Sequence, residues 1–330
     1  MKKPNVTFKR QIQLITAFVF LLSATLVSCG QKEETVTEYT IPYYETLYFA
    51  DGMGYEFASA SSDKLIIVLD GTDWHGANIG VPGGKICPSC IFNWFLPLYG
   101  EYNIFVPEKF DWSRDTEPEL DIRNREKYTI DNLVANYASV ISEYFSQNDY
   151  EKIVIAGHSE GGLIAPELYL LLEDFNISAI IVNGAGGLIA PLDIASARRG
   201  VQLEDETIKS YTISYNNFLA TYSGERYAES PGEIQFRQKG GEYFPVQYFN
   251  SLYKRRPFDF YKNIDIPVLF IHGLLDMNSS PISTKYVEQN LPDKPFTYIY
   301  YPDSVHYPDS DRELVRIRAD IANWLREKGL

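Results

Sequence analysis

The stretch IVIAGHSEGG, residues 153–162, places a serine between glycines directly after four apolar residues. Ser159 is the centre of a Gly-x-Ser-x-Gly pattern that begins at Gly157 and ends at Gly161. A continuous apolar run before it is typical of a strand buried on both faces of a sheet. Two interpretations are open at this point. Ser159 is either a reactive hydroxyl held on a sharp turn or an ordinary hydroxyl in a tight strand-to-helix corner.

Similar apolar runs recur along the chain and alternate with segments of helical spacing. The runs are LIIVL (65–69), YNIFV (102–106), KIVIA (152–156), SAIIV (178–182), PVLFI (267–271) and FTYIYY (296–301). The helical patterns span residues 91–99, 130–146, 161–173, 282–290 and 311–328. This alternation predicts an α/β fold with a doubly wound, mostly parallel sheet. The aromatic segment 38–59 is interrupted by Gly52 and Gly54 and predicts a pair of strands at the sheet edge.

One interval, between SAIIV and PVLFI, is too long for a single crossover connection. Within it, Phe244, Tyr248, Phe249 and Leu252 follow helical spacing, as do several aromatic residues between 208 and 222. We therefore predict a helical cap at 188–258, inserted into a core formed by 39–187 and 259–330. The aromatic rings could line a substrate pocket or could pack the cap onto the sheet.

The first 28 residues have the composition of an export signal. Lys2, Lys3, Lys9 and Arg10 precede an apolar run from Leu14 to Val27, which is shorter than the ~20 residues of a membrane span. After this run come Ser28 and then Cys29, which begins a polar tether, 29–38. We predict that 1–28 is a lipoprotein signal peptide, that Cys29 is lipidated, and that the protein is exported and lipid-anchored to the bacterial cell envelope. The alternative is an ordinary cleaved signal.

Cys87 and Cys90 form an even pair in the segment ICPSC. In an exported chain such a pair predicts a local disulfide. A redox-active pair is a weaker interpretation, because nothing else in the chain suggests a thioredoxin-like domain. Zinc is weaker still, because a structural zinc site needs two more ligands and no second Cys-x-x-Cys occurs.

Charge and motifs exclude several classes of function. The formal net charge of -14 opposes binding to a phosphate backbone, so we expect no nucleic-acid partner. The chain has no glycine-rich phosphate loop, HExxH motif or dinucleotide fingerprint, and we predict no cofactor. The acidic run FDWSRDTEPELD, residues 110–121, fits no calcium loop of defined spacing, so we interpret it as a solvated linker and expect no metal.

With a strand before it and a helix after it, the Gly-x-Ser-x-Gly pattern predicts a nucleophile elbow at Ser159. A serine needs a base, and the chain has only four histidines. His158 lies inside the elbow and turns away from the hydroxyl, His272 opens a loop that it more plausibly supports, and His75 lies too early in the chain. His306, directly after the last predicted strand, is the remaining candidate.

The acid that orients the histidine should follow a strand that lies between Ser159 and His306 in the sequence. Asp276 comes just after PVLFI, whereas Asp259 and Asp265 precede that strand and should lie at its opposite end. The predicted triad is therefore Ser159, Asp276 and His306.

The segments GHSEGG, PVLFIHGLLDMNSSP and PDSVH resemble the α/β-hydrolase superfamily, and the resemblance covers nearly all of residues 40–328. The chain is most similar to serine esterases and serine aminopeptidase-like hydrolases that carry a helical cap. The resemblance implies that Ser159 attacks a carbonyl, His306 shuttles the proton and Asp276 holds the imidazole. It implies a small-molecule ester or amide as substrate.

The oxyanion hole should combine two backbone N–H groups, those of Glu160 and of Thr72 in the loop DGTDWHG. Many relatives have His-Gly where this chain has Asp70-Gly71. The Glu160 carboxylate has two interpretations: it holds a substrate ammonium, as in an aminopeptidase, or it complements the helix dipole. We favour the second. The alternative functions are a serine peptidase and a catalytically silent binding protein on the same fold.

Overall fold

The structure is a computed structural model, and it describes residues 45–48, 54–71, 91–107, 109, 127–188, 193, 236–239, 242–308 and 310–330. The predicted signal peptide and tether lie outside this part of the chain, as do Cys29, Thr72, Cys87 and Cys90. Those assignments stay predictions. Within the described ranges, no helix is both long and apolar enough to cross a membrane.

Ten strands are described: β1 Glu45–Tyr48, β2 Gly54–Ala58, β3 Lys64–Leu69, β4 Asn103–Pro107, β5 Lys152–His158, β6 Ile177–Asn183, β7 Phe236–Lys239, β8 Glu242–Pro245, β9 Val268–Gly273 and β10 Phe296–Tyr301. Eight of them form one sheet in the order β1-β2-β4-β3-β5-β6-β9-β10. β2 runs antiparallel to both of its neighbours, and every other pair in this sheet is parallel. The mostly parallel sheet and its antiparallel edge strands are confirmed.

The helices are a 3-10 helix Ile91–Leu98, α1 Ile130–Phe145, α2 Glu160–Leu171, α3 Val246–Lys254, α4 Pro257–Tyr261, α5 Pro281–Asn290 and α6 Asp311–Glu327. Side-chain caps define where three of them begin. The hydroxyls of Thr129, Ser280 and Ser310 each accept a backbone N–H from the first turn of α1, α5 and α6, respectively. Such a cap stabilises a helix by about 1 kcal/mol.

Both faces of the sheet are buried, as a doubly wound fold requires. Along β3, the side chains of Leu65, Ile67 and Leu69 join a cluster with α1 and α2. Ile66 and Val68 point to the opposite face and join a second cluster with the 3-10 helix and α6. Each fully buried aliphatic side chain contributes about 1.5–3 kcal/mol relative to an exposed one. The continuous apolar runs in the sequence reflect this two-sided burial.

The interval predicted as a helical cap contains, in its described part, the antiparallel hairpin of β7 and β8 and the helix α3. Phe244 lies in β8, so its assignment to a helix is wrong. Tyr248, Phe249 and Leu252 are on α3 and are buried in the cluster that also contains α1. These three side chains therefore pack onto the core. The cap boundaries 188 and 258 stay predictions.

The register aligns the ends of the central strands at one edge. Leu69 pairs with Gly157, Gly157 with Val182, and Val182 with Phe270. The loops that follow β3, β5, β6 and β9 consequently meet at the carboxyl edge of the sheet, which is where open α/β sheets bind ligands.

The first turn of α2 lies directly on the backbone at the end of β3. A Cβ atom at Gly161 would lie under 3.0 Å from the carbonyl oxygens of Leu69 and Asp70, and one at Gly157 would overlap the Gly161 carbonyl. Neither backbone segment can move aside without disrupting the sheet or the helix. Glycine is therefore required at both ends of the Gly-x-Ser-x-Gly pattern.

The variant Gly161→Ala tests this close approach. We expect it to lower the free energy of unfolding by about 3 kcal/mol, because the methyl group must displace the Leu69 carbonyl. Urea unfolding followed by tryptophan fluorescence measures the loss. Gly329→Ala is the control, because a Cβ there meets nothing within 4 Å and only the positive φ of 71° opposes it. That strain should cost about 1 kcal/mol. Equal losses in the two variants would contradict the account.

Candidate active site

Ser159 is held in a strained backbone conformation between β5 and α2. Its φ is 53° and its ψ is -114°, a combination that few residues other than glycine adopt. Its N–H donates to the carbonyl of Asn183 at 2.9 Å, and its carbonyl accepts the N–H of Leu163 at 2.9 Å. A conformation of this kind costs about 1–3 kcal/mol and persists only where its surroundings enforce it. The geometry is that of the predicted elbow, with a half-buried serine at its tip.

The Asp276 carboxylate lies in the loop after β9 and accepts hydrogen bonds at both oxygens. Oδ1 accepts the backbone N–H groups of Asn278 at 2.8 Å and Ser279 at 2.9 Å. Oδ2 accepts from His306 Nδ1 at 2.6 Å and lies 3.4 Å from His272 Nε2. Burial raises the pKa of Asp276, but hydrogen bonds from His272 and His306 outweigh burial and hold this pKa below its usual range. The carboxylate is therefore ionised.

His306 lies in the loop after β10 and is buried, with 8 % of its surface exposed. Because its Nδ1 donates to Asp276, its Nε2 carries the free lone pair of the neutral ring. The ring lies against the backbone of Gly184, where a Cβ atom would come within 3.0 Å of His306 Cε1. The imidazole is thus fixed in both orientation and tautomer.

Ser159 and His306 occupy the same edge of the sheet. The His158 ring lies 4.6 Å from the His306 ring and 4.3 Å from the Tyr307 ring. A Cβ atom at Gly71 would lie 3.3 Å from Ser159 Cβ, from His158 Cδ2 and from the Tyr307 hydroxyl. The contact between Asp276 and His306 is direct, whereas Ser159 and His306 form no hydrogen bond within the described residues. Catalytic hydrogen bonds are often long in ligand-free sites and shorten when substrate binds.

The other described histidines are buried and engaged in structural hydrogen bonds. His158 Nδ1 donates to Asn183 Oδ1 at 2.7 Å, and burial together with nearby His306 lowers the pKa of His158 to about 3. His272 lies 2.7 Å from Thr284 Oγ1 at one nitrogen and 3.1 Å from the Ser279 carbonyl at the other. His272 therefore supports the loop that carries Asp276. His75 lies outside the described residues.

The Glu160 carboxylate is buried and engaged by three side chains. Oε1 accepts from the Tyr128 hydroxyl at 2.5 Å and lies 3.4 Å from Lys109 Nζ, while Oε2 accepts from the Tyr248 hydroxyl at 2.8 Å. The carboxylate is thus 2% exposed and already has the Lys109 ammonium beside it. Glu160 is also the first residue of α2, a position that suits the predicted interaction of its charge with the helix dipole.

Two residues near the site, Lys109 and Asp193, were not predicted from the sequence. Lys109 follows the end of β4, and that position at the carboxyl edge is a signal that could have identified it. Asp193 accepts the Ser279 hydroxyl at 2.8 Å and the Ser280 N–H at 2.5 Å, so it supports the loop after Asp276. No sequence pattern connects Asp193 with Ser279 and Ser280, which lie 86 and 87 residues later in the chain. Across the described ranges, no cluster of histidine, cysteine or carboxylate side chains is arranged to hold a metal ion.

No protein-family model matches the sequence, and no curated protein matches it. Solved structures do match. Est1E from Butyrivibrio proteoclasticus aligns over 86% of this chain and 98% of its own, with a TM-score of 0.57 and 17% identity. The esterase EaEST from Exiguobacterium antarcticum aligns over 87% and 100%, with a TM-score of 0.53 and 13% identity. The acylaminoacyl peptidase of Pyrococcus horikoshii aligns over 88% of this chain but 42% of its own, with a TM-score of 0.51 and 15% identity.

These similarities identify the architecture. The chain has the α/β-hydrolase fold, as its sequence motifs predicted.

The partly buried carboxyl of Asp193 predicts a pH-dependent stability. Burial raises its pKa from 3.8 to about 7, so between these values the folded chain binds more protons than the unfolded chain. Stability therefore falls as the pH rises through this window, by at most ~1.4 kcal/mol per pH unit. Asp193→Asn removes the titration and keeps an oxygen that accepts the Ser280 N–H. We expect the variant to gain stability over the wild type as the pH rises from about 4 to about 7.

Urea unfolding at a series of pH values measures this difference. Asp259→Asn is the control, because that carboxylate is about half exposed and its change should give no comparable trend. A difference between wild type and Asp193→Asn that stayed constant across the window would contradict the prediction.

Proposed function

We propose that this protein is a serine hydrolase that cleaves a carboxylic ester through an acyl-enzyme intermediate. Ser159 is the nucleophile, His306 the general base and Asp276 the group that orients the imidazole. The observation that carries the proposal is the 2.6 Å hydrogen bond from His306 Nδ1 to Asp276, at the same sheet edge as the strained turn of Ser159.

The proposed reaction begins with proton transfer from Ser159 Oγ to His306 Nε2 as Oγ forms a bond to the ester carbonyl carbon. The carbonyl electron pair moves to oxygen and gives a tetrahedral oxyanion. When that intermediate collapses, the bond to the leaving alcohol breaks and His306 donates its proton to the alcohol oxygen. Water then repeats the sequence on the acyl-enzyme and releases the acid. Asp276 stays ionised throughout and stabilises the imidazolium.

Two backbone N–H groups are proposed to stabilise the oxyanion. The N–H of Glu160 belongs to the first turn of α2, where backbone N–H groups have no partner within the helix and the helix dipole favours negative charge. The N–H of Thr72 is the second proposed donor. Each donor of this type contributes about 3 kcal/mol to transition-state stabilisation.

The burial of Glu160 favours an ester over an aminopeptidase substrate. Its carboxylate was the feature of the sequence that suggested an ammonium subsite, and Tyr128, Tyr248 and Lys109 engage that carboxylate instead. The solved structures of similar fold include both esterases and a peptidase, so they do not separate the two chemistries. A silent binding protein would have no need for the strained serine and the oriented histidine together.

A kinetic comparison of p-nitrophenyl esters with aminoacyl nitroanilides tests the proposal. We expect the wild type to turn over the esters faster, and we expect His306→Ala to lower kcat on the order of 10⁴-fold, because the serine then lacks its base. Asp303→Ala is the matched control, since it truncates an exposed side chain in the same loop and should leave kcat unchanged.

Wild-type turnover by His306→Ala would refute the assignment of the base. Faster cleavage of the nitroanilides would favour the peptidase. Failure of the wild type to act on either substrate class would favour the silent binding protein.

A further inference from the structure

Four buried polar side chains meet beside the nucleophile turn, and we name them the Lys109 cluster: Lys109, Tyr128, Glu160 and Tyr248. They come from four separate segments of the chain. Lys109 follows β4, Tyr128 precedes α1, Glu160 is the first residue of α2, and Tyr248 lies in α3. The proposed triad uses none of their side chains.

The hydrogen bonds of the cluster converge on one ammonium and one carboxylate. Lys109 Nζ lies 3.4 Å from Glu160 Oε1 and 3.4 Å from the Tyr128 hydroxyl, and it also donates to the backbone carbonyl of Gly71. The rings of Tyr128 and Tyr248 stack with their centroids 5.3 Å apart. Burial and the Glu160 carboxylate raise the pKa of Tyr128, so its hydroxyl remains a donor.

Stability alone does not explain why this ion pair is present. The Lys109 and Glu160 side chains are only 4% and 2% exposed. Removing two charges from water costs several kcal/mol, and a buried ion pair is frequently no more stabilising than apolar residues of the same volume. What the pair does supply is fixed geometry, because every group in it has a defined partner.

The two backbone segments joined by Lys109 are those that carry the proposed oxyanion donors. Glu160 supplies the first donor with its own N–H. Gly71 shares a peptide group with Thr72, so its carbonyl and the second donor belong to one plane. In a planar trans peptide the C=O and the N–H point in opposite directions. A cation that fixes the Gly71 carbonyl therefore fixes the direction of that N–H.

Gly71 also lies close to the nucleophile. A Cβ atom at Gly71 would be 3.3 Å from Ser159 Cβ, and the Gly71 N–H donates to Asp70 Oδ1 at 2.8 Å. The peptide groups on both sides of Gly71 are thus held, one by Asp70 and the other by Lys109. A small rotation of either group would change the backbone geometry of Gly71 next to Ser159.

We propose that Lys109 is a positioning residue for the oxyanion hole, which it orients through the Gly71 carbonyl and the Glu160 carboxylate. The inference rests on the proposed serine hydrolase function and deepens it. Loss of the Lys109 ammonium should weaken stabilisation of the oxyanion while the hydrogen bond from His306 to Asp276 stays intact. Substrate binding before the reaction should not change.

The test uses the double variant Lys109→Met/Glu160→Gln in the full chain. Lys109→Met alone would leave a buried carboxylate without its cation, at a cost that can unfold a protein. The double variant removes both charges, keeps the length of the Glu160 side chain and shortens that of Lys109 by one atom. Per titrated active site, we expect kcat on a p-nitrophenyl ester to fall about 10²-fold with KM unchanged. The inhibition constant of a trifluoromethyl ketone, which forms an oxyanion with a serine, should rise by a similar factor.

Three further variants distinguish a loss of positioning from a general loss of folding or activity. Glu160→Gln leaves Lys109 in contact with the Gly71 carbonyl and should lose much less kcat than the double variant does. Because it also leaves the buried ammonium without a counter-ion, its kcat is measured per titrated active site, so that unfolded protein is not counted. Tyr248→Phe removes one hydrogen bond to Glu160 and should lower kcat several-fold with KM unchanged, which provides a readout if the double variant fails to fold. Lys262→Met is the matched control, since it breaks an exposed ion pair with Asp259 and should leave both constants unchanged.

An active wild type whose double variant kept kcat and the inhibition constant within threefold would overturn the inference and leave the proposed function intact. An equal loss in Glu160→Gln and in the double variant would also overturn it, because the Gly71 contact would then have no role. If the double variant fails to fold, unchanged kcat in Tyr248→Phe overturns it. A wild type that neither hydrolyses esters nor binds the ketone refutes the proposed function itself.

Discussion

The contact between the first turn of α2 and the end of β3 is the constraint on which the rest of the site depends. The helix approaches so closely that only glycine fits at Gly161, and the chain between β5 and α2 must turn within a single residue. Ser159 therefore takes a positive φ. Its hydrogen bonds to Asn183 and Leu163 hold the turn from both sides and offset the strain. Without this approach, Gly71 would not lie beside the serine.

Three carboxylates, two of them buried and that of Asp193 partly buried, have partners that give them different ionisation. At Asp276, hydrogen bonds from His272 and His306 outweigh burial, and the pKa falls below its usual range. At Asp193, hydrogen bonds from Ser279 and Ser280 do not outweigh burial, and the pKa rises to about 7. Glu160 is paired with the Lys109 ammonium. The loop after β9 thus contains the ionised carboxylate of Asp276 and contacts a second one, Asp193, which comes from a distant part of the chain.

Much of the fold could be predicted because burial on both faces of a sheet leaves a continuous apolar run. FTYIYY marks β10 from Phe296 to Tyr301 without error, and the helical spacing predicted over 130–146 describes α1. The hairpin of β7 and β8 was missed, because an aromatic residue such as Phe244 fits helical spacing and strand alternation equally well. In a short apolar segment, the residue pattern does not distinguish the helical period from the strand period.

Chain order predicts which loops carry the candidate site residues, but it does not predict contacts between distant parts of the chain. Asp276 and His306 follow β9 and β10 in the order that the elbow at Ser159 requires. The role of Lys109 depends on partners 38 and 51 residues away, Gly71 and Glu160. The place of Lys109 after β4 indicates the carboxyl edge of the sheet, but no local pattern predicts its burial or its partners. For the same reason the Glu160 carboxylate could not be assigned from the sequence.

The central claim is that Ser159 is a nucleophile activated by His306. Labelling with a fluorophosphonate probe, followed by mass mapping of the modified peptide, tests it most directly. The account predicts one adduct, on Ser159, that forms in the wild type and is absent in Ser159→Ala. A wild type that takes up no label, or a Ser159→Ala variant that is labelled to the same extent, would contradict it.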